Sequence, residues 1–310
     1  MDLSLGLISF TISIFFIVIS QKIFVQKSII DKIKLRSSHT TLATRSGGIA
    51  IFSTLFLVSI YYYLAGKEIY DFSFLIPLII LLIVGLYDDM YDVDFILKFI
   101  FQVVAAKIII DNGLIIDNLH GVFGIYEIGR IEAQLLTMFI IVAIINAINF
   151  IDGIDGLAIT AIIFFIVLFE FFADTTSPFF ILSHIIVFSL LPLYYFNYRK
   201  NNKVFLGDSG SLFLGSLVSI YVVYILNNNY IIKESYDLNK VIYVFSILTY
   251  PIIDISRVVF IRIYNKKSPF LPDKNHIHHI IVSKFQSHRL TVLTIYLVNI
   301  LVLVILQLIF

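Results

Sequence analysis

The sequence predicts an all-α polytopic membrane protein of about ten transmembrane helices, with its polar site on the cytoplasmic face and a short β-hairpin on the outer surface. Three observations carry that fold class. Of 310 residues, 59% are hydrophobic and only 14% charged, against about 25% charged in a soluble domain. Mean hydropathy is +0.97. The apolar residues also fall into runs close to the roughly 17–25 residues that cross hydrocarbon, and the basic residues between them alternate in number.

In order, the runs cover about 3–21, 48–65, 72–87, 95–111, 132–150, 157–173, 179–196, 211–227, 241–260 and 290–309. The first lacks a basic leader and a small-residue cleavage site, so it reads as a retained anchor. The third and sixth are short. Thirty Phe and eighteen Tyr in these runs read as packing against lipid and neighbouring helices. The stretch "DNGLIIDNLHGVFGIYEIGR" (111–130) alternates apolar and polar residues between glycines, which predicts the hairpin. No repeat or soluble domain interrupts the chain, so residues 1–310 read as one integral-membrane domain.

Seventeen of the 22 lysines and arginines lie in the odd-numbered loops or their flanks, which puts those loops in the cytoplasm and both termini outside. A formal net charge of +1, with no basic helix face, argues against a nucleic-acid partner. With no cysteine there is no disulfide and no thiolate metal site.

The unusual polar clusters fall on the predicted cytoplasmic side. "GLYDDMYDVDFILKF" (85–99) ends the third run with Asp88 and Asp89. Acids there can cap a helix, but adjacent carboxylates repel unless they share a cation. "NAINFIDGIDGL" (146–157) carries Asn146, Asn149, Asp152 and Asp155 at every third position. Each such step moves about 60° around a helix, so four polar groups line half of one. In "FLGDSGSLFLGS" (205–216), Asp208 follows Gly207 where a helix begins, and the glycines would free backbone N–H groups for an anion. "SPFLPDKNHIHH" (268–279) gathers His276, His278 and His279. They could take zinc, but Arg262, Lys266, Lys267 and Lys274 nearby favour an anion. Carboxylate and carboxamide oxygens suit Mg²⁺, which bridges substrate phosphates. The reaction class that fits is phosphoryl transfer.

In this order the motifs resemble the polyprenyl-phosphate N-acetylhexosamine-1-phosphate transferases of the WecA, TagO and WbpL types and, more distantly, MraY. The resemblance runs from "RSSHTTLATRSGGIAI" (36–51) through "PIIDISRVVFIR" (251–262) to "HIHH". It implies that a polyprenyl (undecaprenyl) phosphate attacks a UDP-N-acetylhexosamine, giving polyprenyl-pyrophosphoryl-sugar and UMP. The setting it implies is the bacterial inner membrane, with the active site facing the cytoplasm and a homodimer as a candidate assembly. It implies Asp88, Asp89 and Lys98 at the lipid phosphate, and Asp208 with Asn149 as ligands of Mg²⁺ (or Mn²⁺). Asn146, Asp152, Asp155, Gly207, Arg262, His39, Arg45, His276, His278 and His279 would bind substrate. Whether Asp88 acts as a base or only positions the nucleophile stays open.

Two departures stand out. Leu42 and Thr44 occupy the places of two family prolines, and Asn202-Lys203 that of a Pro-Ala pair; both changes predict less rigid turns. "RSSH" is closer to the WbpL-like branch, whose sugars include FucNAc and QuiNAc, and "HIHH" argues against an MraY-type substrate. The alternative from another class is an ion-coupled transporter, which would place its acids near the bilayer midplane.

Overall fold

The computed structural model describes residues 3–31, 43–67, 69–227, 230–236, 238–266, 268 and 275–309. His39, Leu42, Lys267 and Lys274 lie outside them. In chain order the helices are α1 (Leu3–Gln26), α2 (Gly47–Leu64), α3 (Leu75–Tyr91), α4 (Phe95–Asp111), α5 (Arg130–Ile151) and α6 (Leu157–Phe172). Then come α7 (Phe180–Asn197), α8 (Gly207–Leu226), α9 (Lys240–Ile247), α10 (Thr249–Tyr264), α11 (Ile277–Phe285) and α12 (His288–Ile309). Two short strands, β1 (Ala43–Thr44) and β2 (Lys203–Val204), precede α2 and α8.

Each of the ten apolar runs is helical, but they are not ten equal spans. Seven helices among the described residues are long and apolar enough to cross a membrane, or eight if the bent pair α9–α10 is one span. Helix α6 is apolar but short, and α9 and α10 meet at 76°. The break falls where Pro251 enters the first turn of α10, a position whose N–H no helix needs. Windowed hydropathy averages across such a break. Seven to eight apolar helices make the chain a polytopic membrane protein.

The outer hairpin does not form. Residues 112–129 contain no strand, only a 3₁₀ turn at Val122–Gly124 and isolated closures such as Ile128 N–H to Asp117 C=O, 2.9 Å. His120 and Gly121 both sit at positive φ, and the 3₁₀ turn follows them directly.

The chain divides into two compact units, residues 1–105 with 176–214, and 106–175 with 215–310. In the first, α1 packs on α2 and α7. Gly6 admits the ring of Phe188, and the Ser13 hydroxyl donates to the Ser189 carbonyl at 2.7 Å, the close approach of small and polar residues usual between membrane helices. The strands pair in parallel, Ala43 with Lys203 and Thr44 with Val204. Gly47 and Gly48 then donate to Phe205 and Leu206, each at 2.9 Å. This stitching sets the starts of α2 and α8 side by side. A Cβ at Gly48 would collide with the backbone of Gly210, and one at Gly85 of α3 with the Asp208 carbonyl. Of the positions where the resemblance expects other residues, Thr44 is fully buried and its carbonyl accepts from Phe205 N–H at 2.8 Å, and Lys203 lies in the pairing.

In the second unit α10 packs on α5 and α12, and α12 packs on α9 and α11. Buried tyrosines close the far ends, Tyr243 donating to Leu168 C=O at 3.0 Å and Tyr230 to Phe169 C=O at 2.7 Å. Where α9 turns into α10, an apolar groove of about 190 Å³ opens against α5, lined by Phe139, Ala143, Ala147, Leu248, Pro251 and Ile255.

Candidate active site

In the first unit the acids converge at the ends of α3 and α8. Asp89 is in the last turn of α3 and its side chain is wholly buried. Its Oδ1 accepts from Asp208 N–H and its Oδ2 from Ser209 N–H, each at 2.9 Å. It is thus the N-terminal cap of a helix other than its own, satisfying orphan donors and opposing the helix dipole. Gly207 is at φ +77°, and a Cβ there would stand 2.7 Å from the Asp89 carboxylate. Only glycine admits that approach.

Asp88 points elsewhere. Its Oδ1 accepts from Val93 N–H at 2.7 Å and its Oδ2 takes Lys98 Nζ of α4 at 2.8 Å. Its carboxylate also meets that of Asp208. Arg45 completes the cluster: Nη2 lies 2.8 Å from Asp31, and Nη1 lies 3.8 Å from Asp89 and 3.9 Å from Asp208. Burial works against the Arg45 charge, but the carboxylates outweigh it and hold the guanidinium more firmly protonated than usual. Asp208 alone of the three clustered acids keeps a substantial exposed fraction, 23%.

The second unit gathers the imidazoles. Asp254, fully buried on α10, accepts from His276 Nδ1 and from Ile277 N–H, both at 2.7 Å. His278 Nδ1 is 2.8 Å from the Tyr250 hydroxyl. Asp254, His276 and His278 bring three ligand-type atoms within 4.8 Å. The 2.7 Å spacing is a hydrogen bond, shorter than the roughly 3.3 Å between two tetrahedral zinc ligands. Burial, and then His279 beside it, pull the His278 pKa down to about 3. The turn after α5 reaches the same group: Gly153 has no room for a Cβ, which would lie 2.7 Å from His278 Nε2. Asp155 pairs with His288 Nδ1 at 2.9 Å. Arg262 is buried, with its guanidinium over the Phe150 ring at 5.9 Å.

A model of glycosyl transferase family 4 matches residues 71–226, half of the chain. A probable undecaprenyl-phosphate N-acetylglucosaminyl 1-phosphate transferase of Bacillus subtilis is 31% identical over 288 residues, 91% of this chain and 77% of that protein. The chain belongs to glycosyl transferase family 4. This family 4 member is also 29% identical to the undecaprenyl-phosphate alpha-N-acetylglucosaminyl 1-phosphate transferase of Haemophilus influenzae, over 82% of its own length and 72% of that protein. It is 28% identical to the decaprenyl-phosphate N-acetylglucosaminephosphotransferase of Mycobacterium leprae, over 84% and 72%.

In this family 4 protein the structure brings Asp88, Asp89, Lys98, Arg45, Gly207 and Asp208 together. Asn146, Asn149, Asp152, Asp155, Arg262, His276, His278 and His279 belong to the second unit. Within it, Asn146 turns its amide back to the Val142 carbonyl at 2.8 Å, while Asn149 lies in the last turn of α5 and Asp152 is its C-cap. The anion that the N–H groups of Asp208 and Ser209 receive at the start of α8 is the carboxylate of Asp89. Sequence reasoning also missed Asp31, Tyr250, Asp254 and His288. Asp254 gave a signal, an acid inside the apolar run 241–260; the others had none short of the fold.

Proposed function

We propose that the chain transfers N-acetylhexosamine-1-phosphate from a UDP-N-acetylhexosamine to polyprenyl phosphate at the cytoplasmic face of a bacterial inner membrane. A phosphate oxygen of the lipid forms a bond to the β-phosphorus of the donor. The bond from that phosphorus to the bridging α–β oxygen breaks, and UMP leaves with its electron pair. The product is polyprenyl-pyrophosphoryl-N-acetylhexosamine, the first lipid-linked sugar of a cell-surface glycan.

One observation carries the reading. Asp208 is held at the start of α8 by Asp89, faces Asp88, and has Arg45 at 3.9 Å. At an effective dielectric of 20, two like charges 4 Å apart repel by about 4 kcal/mol. Asp31, Asp88, Asp89 and Asp208 outnumber the two cations Lys98 and Arg45 in this cluster, and their hard oxygens suit Mg²⁺ or Mn²⁺. Asp208 would hold the ion, which would neutralise charge on the transferring phosphates when bound. Lys98 and Arg45 supply fixed positive charge to orient the nucleophile and the donor phosphates. We assign the acidic cluster to the lipid phosphate, and the histidine group to the pyrophosphate or sugar of the donor. The groove beside α10 offers an apolar bed for a hydrocarbon chain. Basic residues concentrated in the odd loops support the cytoplasmic orientation.

Acids at helix ends distinguish this reading from a transporter, whose coupling acids sit near the midplane. The test is an assay of the purified chain with undecaprenyl phosphate and a panel of UDP-GlcNAc, UDP-FucNAc and UDP-QuiNAc. Release of UMP with a lipid product of matching mass supports it. Solute movement into liposomes with no UMP from any donor refutes it.

A further inference from the structure

Asp254 accepts two hydrogen bonds from consecutive residues: Oδ2 takes His276 Nδ1 and Oδ1 takes Ile277 N–H, both at 2.7 Å. One carboxylate thus holds His276 by its ring and fixes the start of α11 by its backbone. A carboxylate accepts and never donates when ionised, so it places a proton on Nδ1 and turns Nε2 to the other side of the ring. Tyr250 stands one helical turn earlier on α10, with its hydroxyl 2.8 Å from Nδ1 of His278. The two rings lie nearly parallel, 20° apart, with centroids 5.3 Å from each other.

The outer nitrogen of His278 is the functional clue. His278 Nε2 is fully buried and has no hydrogen-bond partner among the described residues. It is aimed at the Gly153 backbone, inside the turn that carries Asp152 and Asp155. A buried polar atom left unpaired costs about 1–3 kcal/mol, and such an atom beside a polar turn marks a place for a ligand group. A ring anchored only to stiffen the loop would need no second imidazole set in parallel with its outer nitrogen unpaired.

We propose that Asp254 is a positioning residue for the transfer, acting through His276 to fix which ring nitrogen meets the donor's phosphate or sugar oxygens. This rests on the transferase reading given above. Asp254 touches no reacting atom; it sets the tautomer and angle of a ring that does. Tyr250 holds the His278 ring in place through its hydroxyl.

A double-mutant cycle on the full-length chain in nanodiscs tests it. kcat and donor KM are measured for wild type, Asp254→Asn, His276→Gln and the double variant, with thermal stability beside each. Asp254→Asn should lower kcat/KM by about 10–100-fold, the usual effect of losing such a partner. In the His276→Gln background the same change should cost less than about twofold, because the interaction is already gone. Additive losses would overturn the proposal, as would a near-normal Asp254→Asn. Should Asp254→Asn fail to fold, Asp254→Glu carries the test: its longer arm displaces His276, and its defect must vanish beside His276→Gln. Turnover by wild type with an additive cycle defeats this inference alone. Absence of both turnover and UDP-sugar binding in wild type defeats the transferase reading as well.

Discussion

Asp89 caps the helix that carries Asp208. Its two oxygens accept the N–H groups of Asp208 and Ser209 at 2.9 Å each, while neighbouring Asp88 holds Lys98 at 2.8 Å. Two adjacent acids of one motif therefore do different work, one through backbone and one through a cation.

That division separates their variants. Asp88→Asn and Asp89→Asn should each lower kcat by at least ~10²-fold, the low end for groups that handle a reacting centre. Asp89→Ala should also reduce stability by about 0.5–2 kcal/mol, the cost of a lost cap. Thermal unfolding in detergent beside steady-state rates reads both effects. Near-normal rates in both asparagine variants would reduce the motif to a structural cap.

Metal dependence follows from the all-oxygen cluster. Excess EDTA should abolish turnover, and Mg²⁺ or Mn²⁺ should restore it. Asp208→Ala should be inactive at any Mg²⁺ concentration yet remain folded. Full activity in chelator would remove the ion from the proposal.

The glycine approaches are steric and testable apart from chemistry. Gly48→Ala and Gly85→Ala would each set a methyl group into the backbone of α8. Overpacking of this kind costs about 1–3 kcal/mol, with the two helices pushed apart at the site. Both variants should express poorly and unfold at lower temperature than wild type. Wild-type stability in both would contradict the packing.

His278 gives a pH signature. Burial lowers its folded pKa to about 3, against about 6.5 in an unfolded chain. The unfolded state binds more protons between those values, so this contribution is complete above pH 6.5 and is lost as pH falls towards 3. Melting temperature measured from pH 7.5 to 4.5 should fall in wild type and fall less in His278→Gln. Parallel curves would count against a buried neutral imidazole.

The site was legible where chemistry interrupts hydrocarbon. Asp88, Asp89, Asp208 and the histidines announce themselves because an apolar chain has no cheap use for them. Their partners were not legible. Nothing in "YDDMYD" says that one acid reaches across to residues 208 and 209, because that pairing depends on how α3 packs against α8. Asp254 was visible but read as one polar residue in a run, since its partners are 22 and 23 positions later in sequence. The helices were legible as apolar runs, although the bend at Pro251 and the unformed hairpin were decided by backbone geometry that hydropathy does not sense.

The pairing of residues 43–44 with 203–204 has a consequence for how the chain is made. Synthesis proceeds from the N-terminus, so Asp88, Asp89 and Lys98 emerge long before residues 203–211 exist. Until the ribosome delivers that segment, the start of α2 has no strand partner and Asp89 has no amides to receive. A nascent chain halted near residue 200 would hold Asp89 without its amide donors, an invitation to quality-control proteolysis. Completion of α8 is therefore the step at which the acidic centre becomes a stable structure.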